Sequence, residues 1–204
     1  MERMPEHPNT ETKEMNTRVP CETEHDFVLV LTGISELSEE MENALFDAGC
    51  DDCTISLRSA RVFLTFNRTA DSMEMAILSA IRDVRRANIG ATVLWVDDCN
   101  LVTQSEIGRK IGRPRQQVHQ YVTGERGPGG FPPPACHITE KAPLWRWCEV
   151  ANWLWLNGII KENALREAEA IEAINSFLGY CHQRTTNPDL MNRLLSQLET
   201  ECPA

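Results

Sequence analysis

Residues 101–123 read Leu-Val-Thr-Gln-Ser-Glu-Ile-Gly-Arg-Lys-Ile-Gly-Arg-Pro-Arg-Gln-Gln-Val-His-Gln-Tyr-Val-Thr. Two short amphipathic helices meet at Gly112, a residue that permits the backbone conformation of a tight turn. Thr103 is placed to cap the first helix, and Glu106 three positions on completes a capping box. Ile107 and Ile111 face a core. Pro114 fits the first turn of the second helix, where its missing N–H costs little. Val118, Tyr121 and Val122 pack that helix down, leaving Arg113, Arg115, Gln116, Gln117, His119 and Gln120 outward. This is the pattern of a helix-turn-helix over 103–123, a unit that sets its second helix in the DNA major groove.

The residue types suit that task. Arg makes paired hydrogen bonds to guanine and Gln to adenine, while other contacts hold phosphate and set register. The spacing assigns base edges to Arg115, Gln116 and His119, and phosphate to Arg113, Thr103 and Arg109. The same pattern also fits a surface helix whose polar side chains are merely solvated, so the flanking sequence decides.

Downstream, 124–134 (GERGPGGFPPP) is too rich in Gly and Pro to be anything but a loop. Residues 146–157 then form a helix ending at Gly158. The succession Phe131-Pro132-Pro133-Pro134, Trp145-Arg146 and Val150 with Trp153-Leu154 resembles the winged helix-turn-helix of bacterial MerR and excisionase proteins. There an FP-x-P loop leads into a β-hairpin wing, a W-R strand and a closing V-x-x-W-L helix. The resemblance covers about residues 101–156. It implies a wing at about 126–146 lying along the backbone or minor groove, with Arg126, Arg146 and Lys141 on phosphate. Phe131 and Trp145 are read as packing the wing onto its core, and Trp147, Trp153 and Trp155 as an aromatic seam or a partner surface.

Upstream, Phe27–Leu31 is a β-branched apolar run and reads as a buried strand. Ser38 precedes a helix with Met41, Ala44, Leu45 and Ala48 inward, stopped by Gly49. Thr54–Leu57 and Val62–Phe66 are strands joined by a tight turn at 58–61. Asp71 or Ser72 caps a longer helix carrying Met75, Ile77, Leu78, Ile81 and Val84, and Thr92–Val96 closes the set. The order β-α-β-β-α-β over 27–97 predicts a ferredoxin-like antiparallel sheet with two helices on one face. Beyond Gly158, Ile160, Leu165, Ala168, Ile171, Ile174 and Leu178 form the stripe of a long helix. Asn187-Pro188-Asp189 then opens a last helix with Leu190, Leu194, Leu195 and Leu198 inward.

The fold class expected is therefore α+β. It comprises a disordered tail (1–25), a ferredoxin-like domain (26–98), a winged helix-turn-helix domain (99–158) and C-terminal helices (159–204). At 204 residues and a net charge of -10, the balance argues against nucleic acid until its distribution is read. Residues 101–150 hold seven Lys/Arg against four Glu, a basic island on an acidic body.

No apolar run spans a bilayer and no signal peptide is evident, so a cytoplasmic protein with free thiols is expected. Cys50-Asp51-Asp52-Cys53 has the spacing of half a zinc site or a redox pair, but no second Cys-x-x-Cys exists; the pair reads as buried or incidental. Asp51, Asp52, Asp97 and Asp98 read as turn and capping residues. No catalytic set, metal site or phosphate loop is readable, so no enzyme and no cofactor is expected.

Together these features predict a sequence-specific binder of double-stranded DNA, a transcriptional regulator. Its C-terminal stripe would either support a homodimer or pack on its own wing domain, and its N-terminal domain would take a small ligand or a protein partner. The alternatives are an excisionase-like architectural DNA-bending protein and a protein-interaction adaptor with a repurposed helix-turn-helix.

Overall fold

The computed structural model describes residues 22–34, 36–97, 100–136 and 142–198. The chain is α+β. Its first part follows the element order read from the sequence: β1 (Thr23–Thr32), α1 (Glu39–Asp47), β2 (Cys53–Arg58), β3 (Arg61–Ala70), α2 (Met73–Arg86) and β4 (Thr92–Val96). The strands form one antiparallel sheet in the order β2-β3-β1-β4, so each helix-bearing crossover skips one strand. Ser38 and Ser72 cap α1 and α2, accepting from the amides of Met41 and Met75. The β2–β3 turn runs through Ser59 and Ala60, both at positive φ (49° and 58°). That is the local twist a two-residue hairpin requires.

Alternation along the strands builds the core. Phe27, Leu29 and Leu31 of β1 and Val62, Leu64 and Phe66 of β3 face the same side. They meet Met41 and Leu45 of α1 and Ala76, Ile77, Ala80, Ile81 and Val84 of α2. Phe27 and Phe66 stack at 5.1 Å.

The expected tail, residues 1–25, needs correction at its end: β1 begins at Thr23, and β3 runs to Ala70. Thr23, Glu24 and His25 lie opposite Ala70, Thr69 and Arg68. This end of the ladder is held by backbone pairing, which leaves no apolar signature in the sequence. Residues 1–21 lie outside the described residues.

The same alternation carries a charge inward. Arg68, its side chain 9% exposed, donates to both carboxylate oxygens of Asp52 (2.7 and 2.8 Å), to Asp83 (2.7 Å), to Ser79 (3.1 Å) and to the Gly49 carbonyl (2.7 Å). The hydrogen bonds it donates to Asp52, reinforced by those to Asp83, raise the guanidinium's pKa further against the opposing pull of burial. Asp52 stands in the turn before β2, as the sequence reads, and from there it ties the α1–β2 connection to β3. Its neighbours Cys50 and Cys53 have their thiols pushed up to about 12 and about 11, chiefly by burial. Both stay protonated at neutral pH and make poor nucleophiles. Asp98 lies outside the described residues.

The second part comprises β5 (Leu101–Val102), α3 (Gln104–Lys110), α4 (Arg115–Thr123), β6 (Trp145–Arg146) and α5 (Trp147–Leu156). β5 pairs with β6, and Cys136 bridges to Leu144 just beyond. Its core gathers Val102, Ile107, Val118, Tyr121, Trp145, Val150, Trp153 and Leu154. The 124–134 segment is a loop, as read. It packs inward, with Phe131 edge-on to Trp145 (6.4 Å) and Trp153 (5.0 Å). Trp153 donates its indole N–H to the Gly129 carbonyl (2.9 Å) and Trp145 donates to that of Pro132 (3.1 Å). Trp147 is half-buried, whereas Trp155 is 38% exposed and belongs to no buried seam.

α6 (Glu162–Thr186) joins the two parts. Leu165 and Ala168 pack with Ala151 of α5, while Ile171, Ile174 and Leu178 enter the core of the first sheet. The apolar stripe expected to support a dimer is thus consumed within one chain. Asn175 completes the junction: its amide accepts from the Val96 N–H (2.7 Å) and donates to the Val96 carbonyl (3.1 Å). A side chain here takes the place of a neighbouring strand at the outer edge of β4. Asn175→Ala is expected to cost about 1–3 kcal/mol in chemical denaturation, because it leaves buried backbone groups unpaired.

α7 (Pro188–Leu198) also departs from expectation. None of its residues is buried, and Leu190, Leu194 and Leu198 are 45%, 38% and 53% exposed. Met191 and Leu195 are half-buried, and among the described residues no hydrophobic core takes the helix in.

Candidate nucleic-acid interface

Why α3 and α4 meet as they do begins with local chemistry. The Thr103 amide and hydroxyl both donate to Glu106 Oε2 (2.7 and 2.8 Å), and Thr103 Oγ1 accepts from the Glu106 amide (3.2 Å). The capping box read from sequence is complete. Those bonds, the backbone one foremost, hold the Glu106 carboxyl below the usual range.

α3 ends at Lys110, and Gly112 carries the turn at φ 62°. The tighter requirement lies at Gly108, which the spacing had not singled out. Its carbonyl accepts from the Arg113 amide at 2.8 Å, and a Cβ there would stand 2.6 Å from the Arg113 carbonyl oxygen. Two backbones approach at this point with no room for a side chain. Gly108→Ala is expected to destabilise the fold by about 1–3 kcal/mol through overpacking, with a matching fall in denaturation midpoint. An unchanged midpoint would show that the turn can open.

Pro114 is the N-cap of α4 rather than its first helical residue, with φ -62° and ψ 147°. No side chain caps this terminus. The terminus lies beside the exposed side chains of Arg113 and Arg115.

Val118 and Tyr121 are buried against α3 and α5, which fixes the rotation of α4. Arg115, Gln116, His119 and Thr123 then fall on one exposed face at helical spacing, with Gln120 half-buried at its border. Gln117 turns inward and donates to the Tyr121 hydroxyl (2.5 Å).

The predicted residues thus divide. Arg113, Arg115, Gln116, His119 and Gln120 form a continuous outer surface with the α4 N-terminus, and Arg109 stands on α3, 77% exposed and loosely paired with Glu106 at 3.7 Å. Arg126 is exposed in the loop after α4. Thr103 spends its hydroxyl on Glu106, and Gln117 spends its amide on Tyr121, so both act as supports. Arg146 is engaged within the chain: it pairs with Glu172 of α6 at 2.8 Å and with Glu149 at 3.8 Å. Lys141 lies outside the described residues. Lys110, counted in the basic island but not assigned a contact, lies 5.1 Å over the ring of Trp147.

Among the described residues, no group of three or more His, Cys, Asp or Glu is arranged to hold a metal ion. No described helix is long and apolar enough to cross a membrane. Compared with protein-family models, curated proteins and solved structures, the chain matches none.

Proposed function

We propose that the chain is a sequence-specific binder of double-stranded DNA, a transcriptional regulator acting in the cytoplasm, with no catalytic role for any residue. The observation that carries this reading is the outer face of α4. Arg115, Gln116 and His119 project together beside an uncapped helix N-terminus, on a helix whose rotation is set by buried Val118 and Tyr121. A helix so held presents donors and acceptors suited to base edges, and Arg109, Arg113 and Arg126 surround it as phosphate contacts.

We read residues 99–158 as a winged helix-turn-helix. Support comes from the β5–β6 pair, the Cys136–Leu144 bridge and the closing helix α5. We read residues 23–97 as ferredoxin-like; the strand order and the two crossover helices support it. In the same reading this domain carries the response to a small ligand or protein partner.

A single helix-turn-helix covers one half-site, and a second copy is the usual way to cover the other. With the α6 stripe engaged in its own chain, the surface for that copy is the exposed face of α7, with Phe177 and Tyr180 of α6 at 60% and 39% exposure. Selection of bound duplexes from a random pool tests the function directly. Enrichment of a defined, two-fold motif is expected, with affinity falling steeply as salt rises. A pool that stays random at low salt would overturn the reading.

A further inference from the structure

β4 ends at Val96, opposite Leu29, so among the described residues no strand lies beside the first half of β1 on that side. The last bond there runs from the Asp97 amide to the Val28 carbonyl at 2.8 Å. Because backbone groups alternate in direction along a strand, those of Asp26 and Glu24 point the same way. Among the described residues, no bond reaches them on that side.

α6 runs alongside at a distance. Asn163 and Arg166 share a cavity with Thr23 and His25, Ala168 and Ile171 share one with Phe27 and Val28, and Asn175 reaches Val96. The two cavities, about 510 and 420 Å³, lie between the first half of β1 and α6 and share Met73 and Glu167 in their walls. The open edge from Thr23 to Val28 is roughly 17 Å long at strand rise.

The slot is strongly acidic. Asp26, Asp71, Glu74, Asp97, Glu167 and Glu169 line it against Lys110 and Arg166, and Arg166 is engaged by Glu162. The chain's own terminal segments share that sign: residues 1–21 hold four Glu against Arg3, Lys13 and Arg18, and 199–204 hold two Glu and no base. Charge thus favours an occupant from elsewhere. We propose that this slot takes an extended, Lys/Arg-rich segment of a partner protein, added as a strand to the free edge of β1. Main-chain bonds to Glu24 and Asp26 provide the attachment, and the carboxylates select a basic side-chain pattern.

The test uses the full chain and a dye-labelled hexapeptide of alternating Lys and Val, read by fluorescence anisotropy. It is expected to bind at least tenfold tighter than the Glu/Val counterpart and than a Lys/Val peptide N-methylated along one edge. Binding should slow amide exchange at Glu24 and Asp26, and Glu167→Lys with Glu169→Lys should weaken it at least tenfold. The N-methylated arm needs no variant, so a misfolded mutant does not void the result. Equal binding of the three peptides, no binding at all, or unchanged exchange at both amides would overturn the proposal. So would protection already present without peptide and lost on deleting residues 1–20, which would assign the slot to the chain's own N-terminus.

Discussion

Replacing Arg115 and Gln116 together with alanine is expected to lower affinity for the preferred duplex by about 2–6 kcal/mol, since each paired contact to a base edge contributes about 1–3 kcal/mol of discrimination. At the centre of that range the loss is near a thousandfold. Both side chains are exposed and bonded to nothing that holds the fold, so the thermal midpoint should stay within a few degrees of wild type. The control is Arg113→Ala. As a phosphate contact, Arg113 should weaken all duplexes alike and reduce the salt slope by about one, leaving the preferred sequence unchanged. If the double variant binds its site as tightly as wild type, α4 is a solvated surface helix and the DNA reading falls.

Arg68→Ala carries the largest expected effect on stability, about 3–5 kcal/mol. The cost is less the lost attraction than what remains. Asp52 and Asp83 have side chains only 29% and 15% exposed; Asp52 would lose its one cation, and Asp83 would keep only Arg86, which lies 66% exposed at the surface. Against a total of about 5–15 kcal/mol for a domain, that is a large fraction. Equilibrium denaturation measures it. Adding Asp52→Asn and Asp83→Asn to the Arg68 variant should recover part of the loss, because no unpaired buried charge then remains. A cost below about 1 kcal/mol for Arg68→Ala alone would mean that water reaches the cluster and screens it. The surface proposed to bind DNA belongs to a separate core, so on that proposal this variant should keep its motif preference at temperatures where it remains folded.

These two sites differ in how they could be found. The α4 face is local: Arg115, Gln116 and His119 share it because a helix repeats every 3.6 residues, and the capping box at Thr103–Glu106 marks where the unit begins. Arg68 lies beyond the Val62–Phe66 strand that the sequence shows. Its burial follows from β3 continuing to Ala70, and its partners come from a connection and a helix that only the folded sheet brings together. Gly108 is similar. Nothing in its spacing shows that the Arg113 carbonyl will lie 2.6 Å from where its Cβ would be.

What the amino-acid sequence determined by itself were the element order, most helix caps and the outward set on α4, since periodicity and capping are short-range properties of the chain. Tertiary structure alone decided which faces found partners. The α6 stripe looked free for a second copy, yet Ile171, Ile174 and Leu178 close over the first sheet and Leu165 and Ala168 over α5. Of the four α7 leucines read as inward-facing, Leu190, Leu194 and Leu198 are exposed. An apolar stripe states that a surface is to be covered, but the covering element is set by where the chain returns in space. Arg146 shows the same for charge: its type suits phosphate, and the approach of Glu172, 26 positions away, commits it to an ion pair.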